Sequence, residues 1–434
     1  MIIDNQTQLS TLKNRNLFLY PVLEDSRLHI CVNKIIAFVF IDCDSKETFT
    51  LSNGHPDGLY NNSDLSFLLD CTVYSYDTAY LTKAGYYTNS FIDVKFQYYL
   101  KTNQACNFET PTIIKHYARH FPKCEKIGTI VPLHKHEEIA LNLFLEVFVR
   151  EKQPGLAFYQ EKILKIFTTI EYNGLRVDEK LFSERFGESY SRKKELCYTQ
   201  YNYYTAAGRP SNRFGGINFA ALNKEDGTRE CFISRYEQEG ILVEMDFNSY
   251  HPRLIASMLN YDFKKENVYE HLAKHYNNTD TPTEKQISEA KEATFRQLYG
   301  GVQKQYLHIP FFAATNDLAQ ALWKEAENHG YIESPISGRR LIVDNYQDIN
   351  CYTLFNYYIQ MFETETNTLI LEKLLAEIKD MKCLPVLYTY DSILFDVHKS
   401  ELNNLVNNIL PKVIDYNLFP VKIKTGSNYK NLAV

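Results

Sequence analysis

Two aspartates far apart in the chain sit in similar apolar frames. Between them runs a stretch with one lysine and two aromatic residues at regular spacing. Asp246 follows Leu242, Val243 and Met245 and precedes Phe247; Asp391 lies between Val386, Leu387, Tyr388 on one side and Ile393, Leu394, Phe395 on the other. Both frames are rich in strand-forming residues, so Asp246 is expected just after a strand and before a helix, and Asp391 at the tip of a hairpin. Lys291, Phe295 and Tyr299 advance in steps of four, on one face of a helix closed by Gly300 and Gly301. Mg²⁺ takes oxygen ligands from one or two carboxylates and from substrate phosphates. A lysine nearby holds a triphosphate, and aromatic rings pack on sugar and base. Such a set is equipped for two-metal phosphoryl transfer, the chemistry that adds nucleotides to a chain. Each part also has a plainer use: Asp391 as a turn residue, Asp246 as a helix cap, and the 291–299 face as a core stripe.

The elements that must carry these residues are legible from periodicity. A strand is expected over Leu17–Val22, a hairpin over Ile35–Ile41 and Glu47–Leu51, and a strand over Val73–Tyr76 leading into a helix after Asp77. Helical patterns follow at about 108–120 and 136–151, closing a mixed α/β unit near residue 155. An amphipathic helix over 156–175 ends at Asn173 and Gly174, and a second helix is expected over 178–199. Turns and strands fill 200–250, punctuated by Gly208, Pro210, Gly215, Gly216 and Gly227. Residues 251–330 read as mostly helical, 350–380 as a long helix and 384–398 as a hairpin.

At 434 residues, with 44% apolar side chains, the chain is long enough for two or three domains with real cores. Its net charge of −6 counts mildly against a nucleic-acid protein, but phosphates are read locally. Positive residues gather around Arg192, Lys193, Lys194, Arg209, Arg213, Lys224, Arg229 and Arg235, again at Arg339 and Arg340, and at Lys422, Lys424 and Lys430. Any one of these clusters also reads as a solvated face. Nine cysteines with no Cys-x-x-Cys pair argue against a zinc site or a disulfide framework and fit a reducing compartment. No apolar stretch is long enough to span a bilayer. The expectation is a soluble, cytoplasmic protein with no membrane partner, in host cytoplasm if the chain is viral.

Several short motifs then agree in order. They are Asn173 to Asp178; Gly208-Arg209 with Ser211 and Asn212; Asp246-Phe247-Asn248-Ser249; Lys291, Phe295, Tyr299 and Gly300; Gly330 to Ser334 followed by Gly338, Arg339 and Arg340; Asn356 with Gln360; Asp391; and Gly426 to Tyr429. In this series the chain, over roughly 156–434, resembles the family A DNA polymerases, the bacterial repair polymerase and phage replicase group. The resemblance implies an α/β (α+β) fold class. An RNase-H-like, exonuclease-like domain over 1–155 precedes a right-hand polymerase domain over 156–434. The antiparallel palm takes 156–255 and 345–434, the helical fingers 256–344, and a vestigial thumb lies near 178–204. The compact layout looks phage-like, which implies a role in viral DNA replication.

What the resemblance implies for single residues follows. Asp246, Asp391 and the backbone carbonyl of Phe247 would be ligands of two Mg²⁺ ions, with Mn²⁺ as the alternative. Lys291 would bind the phosphates of an incoming dNTP, beside a sugar and base pocket of Phe295 and Tyr299. Arg209 would meet the minor groove of primer–template DNA, with Asn356 and Gln360 near the nascent pair. Arg229, Arg339 and Arg340 are further candidate DNA contacts. Where the family carries a glutamate that excludes ribonucleotides this chain has His251, and Tyr250 or His251 would have to do that work sterically. Ile287 stands where an arginine is frequent, Ser392 replaces the acidic residue after the hairpin aspartate, and Tyr390 replaces a histidine before it. Only Glu179 to Tyr204 fills the place of a thumb, which implies weak grip on duplex DNA and a processivity or replisome partner. In the N-terminal unit Asp77 matches one exonuclease motif, but the Leu17–Val22 strand lacks an Asp-x-Glu, and Glu138 is the nearest candidate for the third acid. That pattern implies a degenerate domain kept as a scaffold. Two rival readings stay open: a single-subunit RNA polymerase or a ribonucleotide-tolerant polymerase, and a non-catalytic primer–template scaffold.

Overall fold

Strands with apolar residues on both faces must be covered on both sides, and the first sheet is built that way. The computed structural model describes residues 1–434 except 25–27, 59, 77, 87, 104–130, 188–191, 213–216, 264–266 and 434. Its first strands are β1 (Asn16–Leu23), β2 (Ile35–Asp42), β3 (Thr48–Ser52), β4 (Thr72–Ser75) and β5 (Ile92–Asp93), in the order β3-β2-β1-β4-β5. β1 and β3 pair antiparallel with β2, whereas β1–β4 and β4–β5 are parallel. Side chains alternate along β1 and β2. Leu17, Leu19, Phe38 and Phe40 enter one core with Phe67 and Leu81. Phe18, Tyr20, Val39 and Ile41 enter another, with helices α1 (Val94–Thr102) and α2 (Leu133–Val147). This second core does not stop near residue 155 but runs on through Tyr159, Ile163 and Phe167 to Val243 and Met245. The helical pattern at 108–120, Asp77, Arg213, Gly215 and Gly216 lie outside the described residues.

Residues 156–173 are helical, with a π turn at Tyr159–Leu164 and α3 (Lys165–Asn173). They stop at Gly174, whose φ of +60° suits glycine and where a Cβ would press within 2.9 Å of the Tyr198 ring. The helix expected over 178–199 is corrected. Among the described residues of that span only α4 (Glu179–Phe186) is helical, capped by Asp178 and ended by Gly187. Beyond it β7 (Arg192–Lys193) and β8 (Leu196–Cys197) make a hairpin on β6 (Leu175–Val177), which also pairs with β9 (Phe232–Ile233). Cys197 is drawn into a small core with Val177, Phe182 and Phe232, and that burial overrides local helix propensity.

The second half holds an antiparallel sheet flanked by long helices. β10 (Gly240–Phe247) leads into α5 (Tyr250–Leu259), α6 (Val268–Asn277), α7 (Glu284–Gly300) and α8 (Pro310–His329). Thr283 and Gln286 form a capping box at the start of α7. The hairpin of β11 (Tyr331–Glu333) and β12 (Arg340–Ile342) precedes α9 (Cys351–Ile378), 28 residues long. β13 (Cys383–Thr389), β14 (Ser392–His398) and β15 (Val421–Gly426) complete a sheet ordered β13-β14-β10-β15. No helix among the described residues is long and apolar enough to cross a membrane.

Candidate active site

Strand register brings the two aspartates together. Asp246 is the penultimate residue of β10, inside the strand rather than after it, and pairs with Ser392 on β14 and Lys422 on β15. Asp391 occupies the two-residue turn between β13 and β14, and its carbonyl accepts from the Phe247 N–H at 2.9 Å. Tyr390, the other turn residue, has φ +63°, an unusual conformation for an aromatic side chain.

Both carboxylates line a cavity of about 580 Å³ shared with Phe247, Tyr250, His251 and Arg209, and with Lys291, Phe295 and Tyr299 of α7. Burial raises the Asp391 pKa first, and the neighbouring charges of Asp246 and Glu363 add to it. Burial also raises Asp246, partly offset by Lys424, whose ammonium lies 3.8 Å from it while pairing with Glu244. Two like-charged carboxylates crowded into one cavity are the donor set a hard divalent cation takes, so the residues present fit Mg²⁺ or Mn²⁺. Among the described residues no group of three or more His, Cys, Asp or Glu side chains is clustered to hold a metal.

The 291–295–299 face of α7 lines the same cavity. Lys291 is exposed and makes no ion pair among the described residues; its nearest partner is the Tyr269 ring at 5.8 Å. Phe295 and Tyr299 stack at 5.7 Å with 11° between their planes. From Lys291 to Tyr299 is about 12 Å along the helix axis, room for a phosphate at one end and a ring system at the other. The Tyr299 hydroxyl meets Nδ1 of His251. Tyr250 is buried, stacks on Phe247 at 4.3 Å, and donates to Asn367, which in turn donates to the Tyr390 carbonyl at 2.9 Å.

Glu363, from the middle of α9, was not legible as a site residue. It is fully buried, with Oε1 3.1 Å from His251 Nε2 and Oε2 2.7 Å from Arg209 Nε. Arg209 also lies over the Tyr390 ring at 3.9 Å. The available signal was a polar run, Glu363 to Thr368, inside an otherwise apolar helix; Glu363, Thr364, Glu365, Asn367 and Thr368 are all buried.

The remaining expected DNA contacts do not reach the cavity. Asn356 donates to the Tyr299 carbonyl at 2.8 Å, closing the end of α7, and Gln360 lies one turn further along α9, outside the cavity. Arg229 is corrected: it is buried, donates to the Leu222 carbonyl at 2.9 Å and lies over Tyr429 at 4.5 Å. Arg339 is corrected too. It is wholly buried and donates to Tyr159 at 2.9 Å and to the Ala207 carbonyl at 3.1 Å, leaving no surface for a phosphate. Arg340 is partly exposed and pairs with Glu333 at 2.8 Å. In the N-terminal unit Glu138 pairs with Lys135 at 3.0 Å, and β1 carries no carboxylate.

No family model and no curated protein matches the chain. A solved complex of the POL domain of Pol1 from M. smegmatis with DNA primer-template and dNTP is similar in structure. The match has a TM-score of 0.67 at 12% identity and covers 98% of each chain. The chain therefore has a mixed α/β fold like that of this polymerase domain.

Proposed function

We propose that the chain is a template-directed DNA polymerase that adds dNTPs to a primer 3′ end by two-metal-ion phosphoryl transfer. One observation carries the reading: a single cavity is lined by Asp246 and Asp391 and by Lys291, Phe295 and Tyr299. The likeness to a polymerase domain solved with primer-template and dNTP supports it. Two Mg²⁺ ions on Asp246, Asp391 and the Phe247 carbonyl would neutralise phosphate charge and sharpen the attacking hydroxyl. Lys291 binds the triphosphate as a mobile cation, Phe295 and Tyr299 flank sugar and base, and Arg209, held from behind by Glu363, faces the primer–template side. Phosphoryl transfer needs positioning and charge stabilisation more than covalent chemistry, which is what these side chains offer.

In this reading residues 1–155 form a degenerate exonuclease-like unit that lacks the Asp-x-Glu of its first motif, 156–255 and 345–434 the palm, and 256–344 the fingers. The short α4 and the β7–β8 hairpin stand for the thumb. So small a grip points to a partner for processivity and, with the compact layout, to a viral replication role; an unaided enzyme copying thousands of nucleotides per binding event would refute the partner. Release of a labelled 3′-terminal nucleotide would overturn the inert exonuclease.

Primer extension on a defined template, with dNTPs or rNTPs, with Mg²⁺ or EDTA, tests the main reading. Extension with dNTPs that stops in EDTA is expected. Preference for rNTPs would shift the reading to an RNA polymerase, which His251 at the sugar side keeps in play. Binding of primer–template without any extension would make the chain a scaffold.

A further inference from the structure

A buried carboxylate at the edge of a cavity joins whatever it touches, and Glu363 touches two residues that line it, His251 and Arg209. Its side chain is 0% exposed. Oε1 lies 3.1 Å from His251 Nε2 and accepts from an Arg209 terminal nitrogen at 3.1 Å, while Oε2 lies 2.7 Å from Arg209 Nε. Through His251 the chain of contacts reaches the Tyr299 hydroxyl, on a ring 38% exposed and stacked on Phe295. Through Arg209 it reaches the ring of Tyr390, the left-handed residue just before Asp391.

We propose that Glu363 is a positioning residue for nucleotide selection, which rests on the polymerase reading above. By holding His251 and Arg209 at once it fixes Tyr299 at a set distance from the turn that presents Asp391. With triphosphate at Lys291, the sugar lies toward Tyr299, about two helical turns along α7. A ring tied down through His251 leaves no slack for an added 2′-hydroxyl; a released ring swings aside and admits it. Arg209 alone would satisfy the charge of Glu363, so the His251 contact is what separates a selector from a counter-ion.

Steady-state single-nucleotide incorporation tests this on wild type, Glu363→Gln, His251→Gln and the double variant, with dNTP and rNTP on the same primer–template. The glutamine at 363 is expected to raise dNTP KM about tenfold with kcat changed less than about threefold, and to lower dNTP-over-rNTP selectivity about tenfold. His251→Gln should do the same, and the double variant should be no worse than Glu363→Gln, because both break one linkage. Unchanged KM and selectivity in Glu363→Gln, or multiplicative losses in the double variant, would overturn the proposal and leave Glu363 a counter-ion. Should Glu363→Gln fail to fold, as judged by its circular dichroism, His251→Gln decides alone: it leaves the Glu363–Arg209 pair intact, and unaltered selectivity there overturns the proposal. A wild-type chain that extends nothing would sink the polymerase reading itself, a result distinct from extension without the selectivity shift.

Discussion

Two buried polar networks hang from the same helix, two residues apart, and they are put to different uses. Glu365 of α9 accepts from Ser337 at 2.7 Å and from Ser334, and lies 3.4 Å from the Tyr159 hydroxyl. Tyr159 in turn receives Arg339, whose guanidinium also lies 4.6 Å from the Tyr99 ring. That network joins the N-terminal unit, the helical run at 156–173 and the β11–β12 hairpin, and it is shut away from solvent. Asn103 extends the junction, donating to the Arg340 carbonyl at 2.9 Å and accepting from the Ile342 N–H at 2.8 Å. Glu363 anchors the second network, which runs through His251 to Tyr299 and through Arg209 to the Tyr390 ring, beside an open cavity. A charged network enclosed on all sides holds parts together; one whose last members face a cavity holds parts in place for a ligand. The two meet at adjacent residues. A Cβ on Gly208, φ +77°, would stand 2.2 Å from the Arg339 guanidinium, and the next residue is Arg209.

The sharpest way to break this contrast is Asp391→Ala. Extension should fall about 10⁴-fold, roughly 5.5 kcal/mol of lost transition-state stabilisation. The melting temperature should hold or rise, because the carboxylate sits among Asp246 and Glu363; a large drop in melting temperature would make it a structural residue instead. Arg339→Met attacks the enclosed network and should cost about 3–5 kcal/mol in urea unfolding, since it strands buried partners. If Arg339→Met leaves stability unchanged, the junction is not held as described.

Burial raises the Glu365 pKa, so its stabilising contribution is full below the usual carboxylate range and is lost as pH rises through the raised value. Burial pushes Glu363 the same way, but His251 and then Arg209 outweigh it and hold the pKa low. Its contribution is present above the ordinary glutamate value and lost as pH falls through the depressed one. In calorimetric melts across pH, Glu365→Gln should therefore gain on wild type toward neutrality, and Glu363→Gln should lag most at neutrality and approach wild type in acid. Parallel curves for both variants would contradict the opposite shifts. The smallest effect belongs to Arg340→Ala: with its Glu333 pair 40% and 44% exposed, unfolding should shift by less than about 1 kcal/mol.

Which of these residues were visible in the sequence follows from how each is held. Lys291, Phe295 and Tyr299 share a face because a helix repeats every 3.6 residues, and Asp391 tips a hairpin because strand-formers flank it. Those are local rules, and the structure follows them. The helix expected at 178–199 failed because Cys197 is buried by Phe182 and Phe232 rather than by its own neighbours. Arg229 and Arg339 looked like free basic residues because nothing nearby in the chain shows that Tyr429 and Tyr159 will enclose them.

The sequence alone determined that two aspartates, a lysine and two rings would stand on strand ends and on a helix face, because their spacing matches backbone periods. Only the tertiary structure decided that they share one cavity, and that Glu363 rather than a neighbour in the chain grips Arg209, 154 residues away. The price of burying a charge is set by its partners, and those partners are chosen by packing across the whole molecule.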